Sequence, residues 1–96
     1  MIKKNTVGVF GLGNMGAGLA KNFIRNNISV SVYNRITKTE INIIPDFLNE
    51  YKSKNVLGFT NISDFVNSLK RPRIILLLIP SGNIIDKSIY NLKKVL

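Results

Sequence analysis

The stretch VFGLGNMGAGLAKNF, Val9 to Phe23, sets Gly11, Gly13 and Gly16 in G-x-G-x-x-G spacing and runs on into a helical pattern. A β-rich run, Thr6 to Phe10, precedes it, and a helix is expected from about Asn14 to Asn26, with Met15, Leu19, Phe23 and Ile24 at helical spacing. A glycine triplet between a strand and a helix is the context in which such a loop cradles a pyrophosphate. Gly11 permits the tight turn, Gly13 removes a side chain where the phosphates approach, and Gly16 lets the helix lie close on the sheet. The backbone N–H groups of Asn14, Met15 and Gly16 open the helix and direct their positive ends at an anion. The competing reading is a packing turn that binds nothing.

Working outward, strand and helix signals alternate. SVSVY, Ser29 to Tyr33, alternates and is β-branched, so it reads as a second strand. A helix is expected from about Pro45 to Lys52, because Pro45 suits a first turn and disfavours helical geometry at Ile44. That leaves Thr37 to Ile44 as a loop or separate turn. Val56 to Phe59 is a short third strand, and Asn61 can cap a helix running to about Leu69, with Asp64 in its first turn. Ile74 to Ile79, IILLLI, is a fourth strand that Pro80-Ser81-Gly82 ends. Asn83 can cap a last helix carrying Ile85, Ile89, Leu92 and Leu96 on one face. Four strand–helix units (βαβαβαβα) argue for an α/β fold, a Rossmann-like parallel sheet in the order 3-2-1-4.

The residue types at the strand ends then choose among ligands. An NAD site usually has Asp or Glu at the end of the second strand, to bond the ribose 2′-hydroxyl. Here that place holds Asn34-Arg35. A guanidinium can hold a 2′-phosphate by paired, charge-assisted hydrogen bonds, so the cofactor read from the residues is NADP rather than NAD. Thr37 and Lys38 could add a hydroxyl and a second charge. The bland alternative is an ordinary exposed arginine. Pro80-Ser81-Gly82 brings the third loop to the same sheet edge, with the nicotinamide end expected past Ile79 and Pro80.

Composition limits the rest. Ninety-six residues make at most one small domain, and no apolar run reaches the roughly 18 residues of a membrane span. With no cysteine and no histidine, there is no disulfide framework, no thiolate metal site and no histidine acid–base. The expectation is therefore a cytoplasmic chain with no metal. The net charge of +9 rests on scattered lysines and arginines, and the one tight cluster, Lys70-Arg71-Pro72-Arg73, has no interleaved aromatics and precedes strand four at the far sheet edge. Neither nucleic acid nor membrane is expected as a partner. Ser31, Ser63 and Ser81 have no histidine partner, and the five carboxylates show no paired spacing at a strand end, so no catalytic residue is assigned.

VGVFGLGNMGAGLAKNF, SVYNR, DFLNEYKSKNVLG, SDFVNSLKRPRIILLLIPSG and IIDKSI resemble, in order, the start of 6-phosphogluconate dehydrogenase. The most specific pieces are G-x-G-x-M-G-x-x-L-A-x-N, the YNR pair and the L-x-x-P-R lead-in to strand four. The resemblance implies a cytoplasmic, usually homodimeric enzyme that oxidises 6-phosphogluconate with NADP and decarboxylates the product to ribulose 5-phosphate, in the pentose phosphate pathway. It implies cofactor contacts at Gly11, Leu12, Gly13, Asn14, Met15 and Gly16, at Asn34, Arg35 and Ile36, and at Ile79, Pro80 and Ser81. It also places the family's substrate-binding and catalytic residues beyond Leu96, in a large helical domain. Residues 1–96 then read as a partial, N-terminal NADP-binding domain, inactive alone.

Three departures from the family pattern matter. Ile36 stands where Ser or Thr is usual, the segment before DFL is a few residues longer, and Pro80-Ser81-Gly82 replaces the frequent Lys-Ala-Gly. A β-hydroxyacid dehydrogenase of the 3-hydroxyisobutyrate type, which shares the glycine motif, stays open. So does a non-enzymatic dinucleotide-binding module or a degraded remnant. In the order 3-2-1-4 the apolar fourth strand is an unprotected edge, so an incomplete domain that pairs or aggregates through it is expected.

Overall fold

The computed structural model describes residues 4–35, 42–51, 55–78 and 83–95. The elements alternate as expected: β1 (Val7–Phe10), α1 (Asn14–Arg25), β2 (Val30–Tyr33), α2 (Ile43–Glu50), β3 (Val56–Phe59), α3 (Ile62–Asn67), β4 (Ile75–Leu77) and α4 (Asn83–Val95). All pairings are parallel, in the order β3-β2-β1-β4. The register aligns Phe10 with Tyr33 on one side and with Leu77 on the other, and Tyr33 with Phe59. The strands therefore leave the sheet along one common edge.

Alternation along β1 and β2 divides the core between the two faces of the sheet. Val7, Val9, Val30 and Val32 point to the side where Ala20 and Ile24 of α1 and Ile44 and Phe47 of α2 pack. Phe10 and Tyr33 point to the other, against Phe65 and Val66 of α3 and Leu92 of α4. Every residue of β1 and β2 is buried, as a parallel sheet covered on both faces requires. The order reverses between β1 and β4, and ligands of open α/β sheets bind in the crevice at such a switch point.

Several boundaries move from their expected places. The fourth strand is Ile75–Leu77, without Ile74 and Leu78 of the expected run, because its register with β1 covers those three residues alone; Ile79 lies outside the described residues. The second helix begins at Ile43, not Pro45, and Tyr51 caps it; Lys52 lies outside the described residues, as do 37–41 of the expected loop. Ile44 is helical and buried despite the proline after it. Pro45 is third in the helix, where a backbone N–H has no intrahelical partner to lose. Burying an isoleucine is worth about 1.5–3 kcal/mol, enough to outweigh the pre-proline preference. The third helix stops at Asn67 rather than Leu69, because the chain is drawn off into pairing with Asn5: Asn5 N–H donates to Ser68 C=O (2.8 Å) and Lys70 N–H to Asn5 C=O (3.0 Å). Asn83 is the first residue of α4 rather than its cap.

Two ends follow the sequence closely. Asn61 caps α3 by accepting from the Asp64 N–H at 3.1 Å. Helix α1 ends in a Schellman arrangement, with Ile28 N–H donating to Phe23 C=O (2.9 Å) and Asn27 N–H to Ile24 C=O (3.1 Å). Asn27 takes the positive φ, 59°, that this turn needs. On α4, Leu92 is buried while Ile89 is exposed; Ile85 and Leu96 lie outside what is described.

Candidate cofactor site

The glycine loop runs from the end of β1 into α1 and is pinned to the end of β2. Gly11, at φ 107°, turns the chain, and its N–H donates to Tyr33 C=O at 2.8 Å. Leu12 folds its side chain into the core, and its N–H donates to the side-chain oxygen of Asn34 at 3.0 Å. Gly13 then caps α1 without any side-chain hydrogen bond, and the first turn contains no acidic residue. The N–H groups of Asn14, Met15 and Gly16 therefore open the helix with its positive end exposed.

The space around the glycines decides what this loop can do. A Cβ on Gly16 would lie 1.9 Å from the Gly11 carbonyl oxygen, so only glycine lets α1 approach the β1 exit this closely. A Cβ on Gly13 would meet nothing within 4 Å. Gly13 is thus not demanded by packing; its bare backbone faces open space at the helix mouth, as a cradle for a pyrophosphate requires. The expected apolar stripe of α1 needs one correction. Met15 is 75% exposed, and the buried stripe is Gly16, Ala20 and Ile24. No side chain can enter where Gly16 meets the Gly11 carbonyl, and Met15 stands outside the buried stripe.

At the end of β2, Asn34 is half-buried and Arg35 exposed. Among the described residues no carboxylate pairs with Arg35, and the one ion pair, Lys21 with Glu50 (3.7 Å), involves neither. Beneath them Tyr33 packs its ring on Phe10 (4.5 Å between centroids) and Phe65 (5.5 Å). Burial pushes the Tyr33 phenol above its ordinary pKa, and the Arg35 charge offsets part of that rise. The phenol is therefore neutral at physiological pH.

The structure thus brings Gly11, Leu12, Gly13, Asn14, Met15 and Gly16 together with Asn34 and Arg35 at one sheet edge, beside the exit of β4. Ile36, Thr37 and Lys38, and Ile79, Pro80 and Ser81, lie outside the described residues. The basic cluster of Lys70, Arg71 and Arg73 lies on the α3–β4 connection, at the opposite edge. Sequence reasoning missed the bond between Asn34 and the loop; the only signal for it was an amide-bearing residue at a strand end beside a turn rich in free N–H groups. Among the described residues no cluster of potential ligands could hold a metal, and no helix is long and apolar enough to cross a membrane.

Comparison with known proteins agrees with this geometry. Residues 6–96 match the family model of the NAD binding domain of 6-phosphogluconate dehydrogenase. The chain is 46% identical over 92 residues to the NADP(+)-dependent, decarboxylating 6-phosphogluconate dehydrogenase of Bacillus subtilis, covering 95% of this chain and 19% of that protein. It is 45% identical over 91 residues to the decarboxylating enzyme of Chlamydia pneumoniae, covering 93% of this chain and 18% of that one. It therefore spans less than a fifth of the relatives it matches. Among solved structures, Plasmodium falciparum 6-phosphogluconate dehydrogenase, described in apo form and with NADP+ and with 6-phosphogluconate, superposes with a TM-score of 0.74 at 29% identity, over 93% of this chain and 19% of that one. Mycobacterium tuberculosis FadB2, at 17% identity and a TM-score of 0.67 over 98% of this chain and 38% of that one, shares the fold alone. With its fold, its glycine loop and nearly its whole length matched, the chain belongs to the family of the NAD binding domain of 6-phosphogluconate dehydrogenase.

Proposed function

We propose that this chain binds NADP and forms the cofactor-binding part of a decarboxylating 6-phosphogluconate dehydrogenase. The observation that carries the reading is Arg35: exposed, with no carboxylate partner among the described residues, at the strand end where an NAD site carries an acid. The amides of Asn14, Met15 and Gly16 would hold the pyrophosphate over Gly13, and Arg35 the 2′-phosphate. Leu12 would contribute through its place in the loop and Asn34 through its hold on it. Ile36, Thr37 and Lys38 would flank the 2′-phosphate, and Ile79, Pro80 and Ser81 the nicotinamide end.

Bound NADP supplies the hydride acceptor for oxidation of 6-phosphogluconate, which proceeds with loss of CO2 to ribulose 5-phosphate. Residues 1–96 are assigned the binding of the cofactor and no catalytic group. Homodimeric assembly and a cytoplasmic location belong to the same proposal. The names of the Bacillus subtilis and Plasmodium falciparum relatives support NADP and 6-phosphogluconate over a 3-hydroxyisobutyrate-type reaction. The test is titration of NADPH and NADH into the chain, followed by nucleotide fluorescence or calorimetry. Saturable binding, tighter for NADPH, is expected. No saturable binding, or tighter NADH binding, would refute the reading.

A further inference from the structure

The strand-start edge of the sheet, opposite the glycine loop, gathers cations from three separate parts of the chain. Lys70, Arg71 and Arg73 lie on the α3–β4 connection. Lys4, just before β1, donates to the Asn67 C=O at the end of α3 (2.8 Å). Lys93 and Lys94 stand in the last turn of α4, which runs back from the β4 exit. Sequence spacing marks only the first of these groups. Arg73 and Lys93 meet across a groove of about 300 Å³ between β4 and α4, floored by Ile75, Leu77, Ile89 and Leu92. Among the described residues the buried Arg73 Nε has no hydrogen-bond partner, and no carboxylate lines the groove. A buried N–H of a guanidinium left unpaired is costly, so the groove is chemically incomplete as it stands.

The backbone beside this groove is open as well. Gly8 N–H donates to Ile74 C=O and Leu78 N–H to Phe10 C=O, so alternate residues of β4 face β1. The N–H and C=O groups of Ile75 and Leu77 therefore turn to the outer edge, where no further strand pairs among the described residues. From these observations we propose that the β4 edge and the β4–α4 groove bind an extended, acidic peptide segment of a partner protein. Its backbone pairs with Ile75 and Leu77, and its alternate apolar side chains lie on Ile89 and Leu92. A carboxylate at its strand-start end bonds Arg73 beside Lys93. The groove's described lining is aliphatic and carries no aromatic ring, which favours such a peptide over nucleic acid, whose bases stack on aromatic side chains. The net charge of +9 favours an acidic partner over a second copy of the chain.

The probe is a short blocked peptide alternating valine and serine, with a glutamate at each end so that either strand direction brings one to Arg73. Its counterpart carries glutamine at both ends. Calorimetry gives the affinities for the chain, and NMR the amides that shift. The glutamate peptide is expected to bind about tenfold tighter than the glutamine peptide, the worth of one charged hydrogen bond, and to weaken as salt rises. It is expected to shift the amides of Ile75 and Leu77. Arg73→Gln should abolish the difference between the peptides, whereas Arg25→Gln, at an exposed cation of α1, should preserve it. Urea unfolding checks each variant; should Arg73→Gln not fold, the contrast between the two peptides on wild type still decides. Equal affinity for the two peptides, no binding of the glutamate peptide, or shifts confined to β3 would overturn the proposal. So would an oligothymidine that binds more tightly through the same amides, which would mark a nucleic-acid face. Amides of β4 already protected by a second copy that the peptide does not displace would overturn it too. None of these results bears on the cofactor reading, which rests on the other edge of the sheet.

Discussion

Replacing Gly16 with alanine puts a methyl carbon 1.9 Å from the Gly11 carbonyl oxygen and 3.0 Å from its carbon. Both atoms are backbone, so no side chain can swing away. Restoring a normal contact means lifting the start of α1 from the β1 exit by about 1.5 Å. Overpacking in a well-packed interior costs about 1–3 kcal/mol, and an immovable backbone partner puts this site at or above the upper end. A chain of this length has about 5–14 kcal/mol of total stability, with small domains toward the low side. A loss of about 3 kcal/mol corresponds to a fall in Tm of roughly 12 °C or more for a domain this size. Two internal controls sharpen the test, because an added Cβ meets nothing within 4 Å at either Gly13 or Gly18. Gly13→Ala, at φ −69°, should cost at most about 1 kcal/mol, as alanine does at an N-cap, yet weaken NADPH and NADH together by filling the cradle. Gly18→Ala lies within α1 on its exposed side and should gain about 0.5–1 kcal/mol. Thermal and urea unfolding give the stabilities, and nucleotide titration the affinities. If Gly16→Ala melts within about 3 °C of wild type, or if Gly13→Ala binds nucleotide as wild type does, the reasoning about this loop is wrong.

Other expectations concern the frame around the site. Asn5 is buried and donates to Val30 C=O (3.1 Å) and to Ser31 Oγ (2.9 Å), which in turn meets Ser68 Oγ (2.6 Å); Asn5→Ala should cost about 1–3 kcal/mol by urea unfolding. The raised pKa of Tyr33 means that the fold favours its neutral form. That contribution is intact below the ordinary tyrosine value near 10 and is lost as pH climbs from there to the folded value. Tyr33→Phe should therefore flatten the alkaline part of the stability–pH curve and leave its slope at neutral pH alone. Among the described residues strand β4 pairs only with β1, and Ile74 beside it is exposed, so sedimentation should detect self-association that rises with ionic strength as the +9 charge is screened. Ile74→Lys should reduce it, and a monodisperse monomer at all salt concentrations would count against pairing through β4.

The parts of the fold readable from sequence were those fixed by local chemistry. Strand alternation around Val30 and Val32, the cap at Asn61 and the glycine spacing each have a short-range cause, and each stands where it was read. The misreadings came from tertiary contacts. Pro45 marked a helix start by its own preference, but burial of Ile44 carried the helix back to Ile43. Met15 fitted the apolar spacing of α1, yet the face that meets the β1 exit is that of Gly16, against the Gly11 carbonyl, with Ala20 and Ile24 buried along it. The place of Asn34 at the end of the second strand was legible in the sequence, whereas its bond to Leu12 depends on how far the loop folds back over β2, which no spacing encodes.

The central claim is that Arg35 makes this an NADP site, and its most direct measurement is the change in NADPH and NADH affinity on Arg35→Ala. A charged hydrogen-bond partner is worth about 1.5–3 kcal/mol, so NADPH affinity should fall roughly 10- to 150-fold. NADH, which lacks the 2′-phosphate, should change little. Equal losses for the two nucleotides, or none for NADPH, would contradict the account.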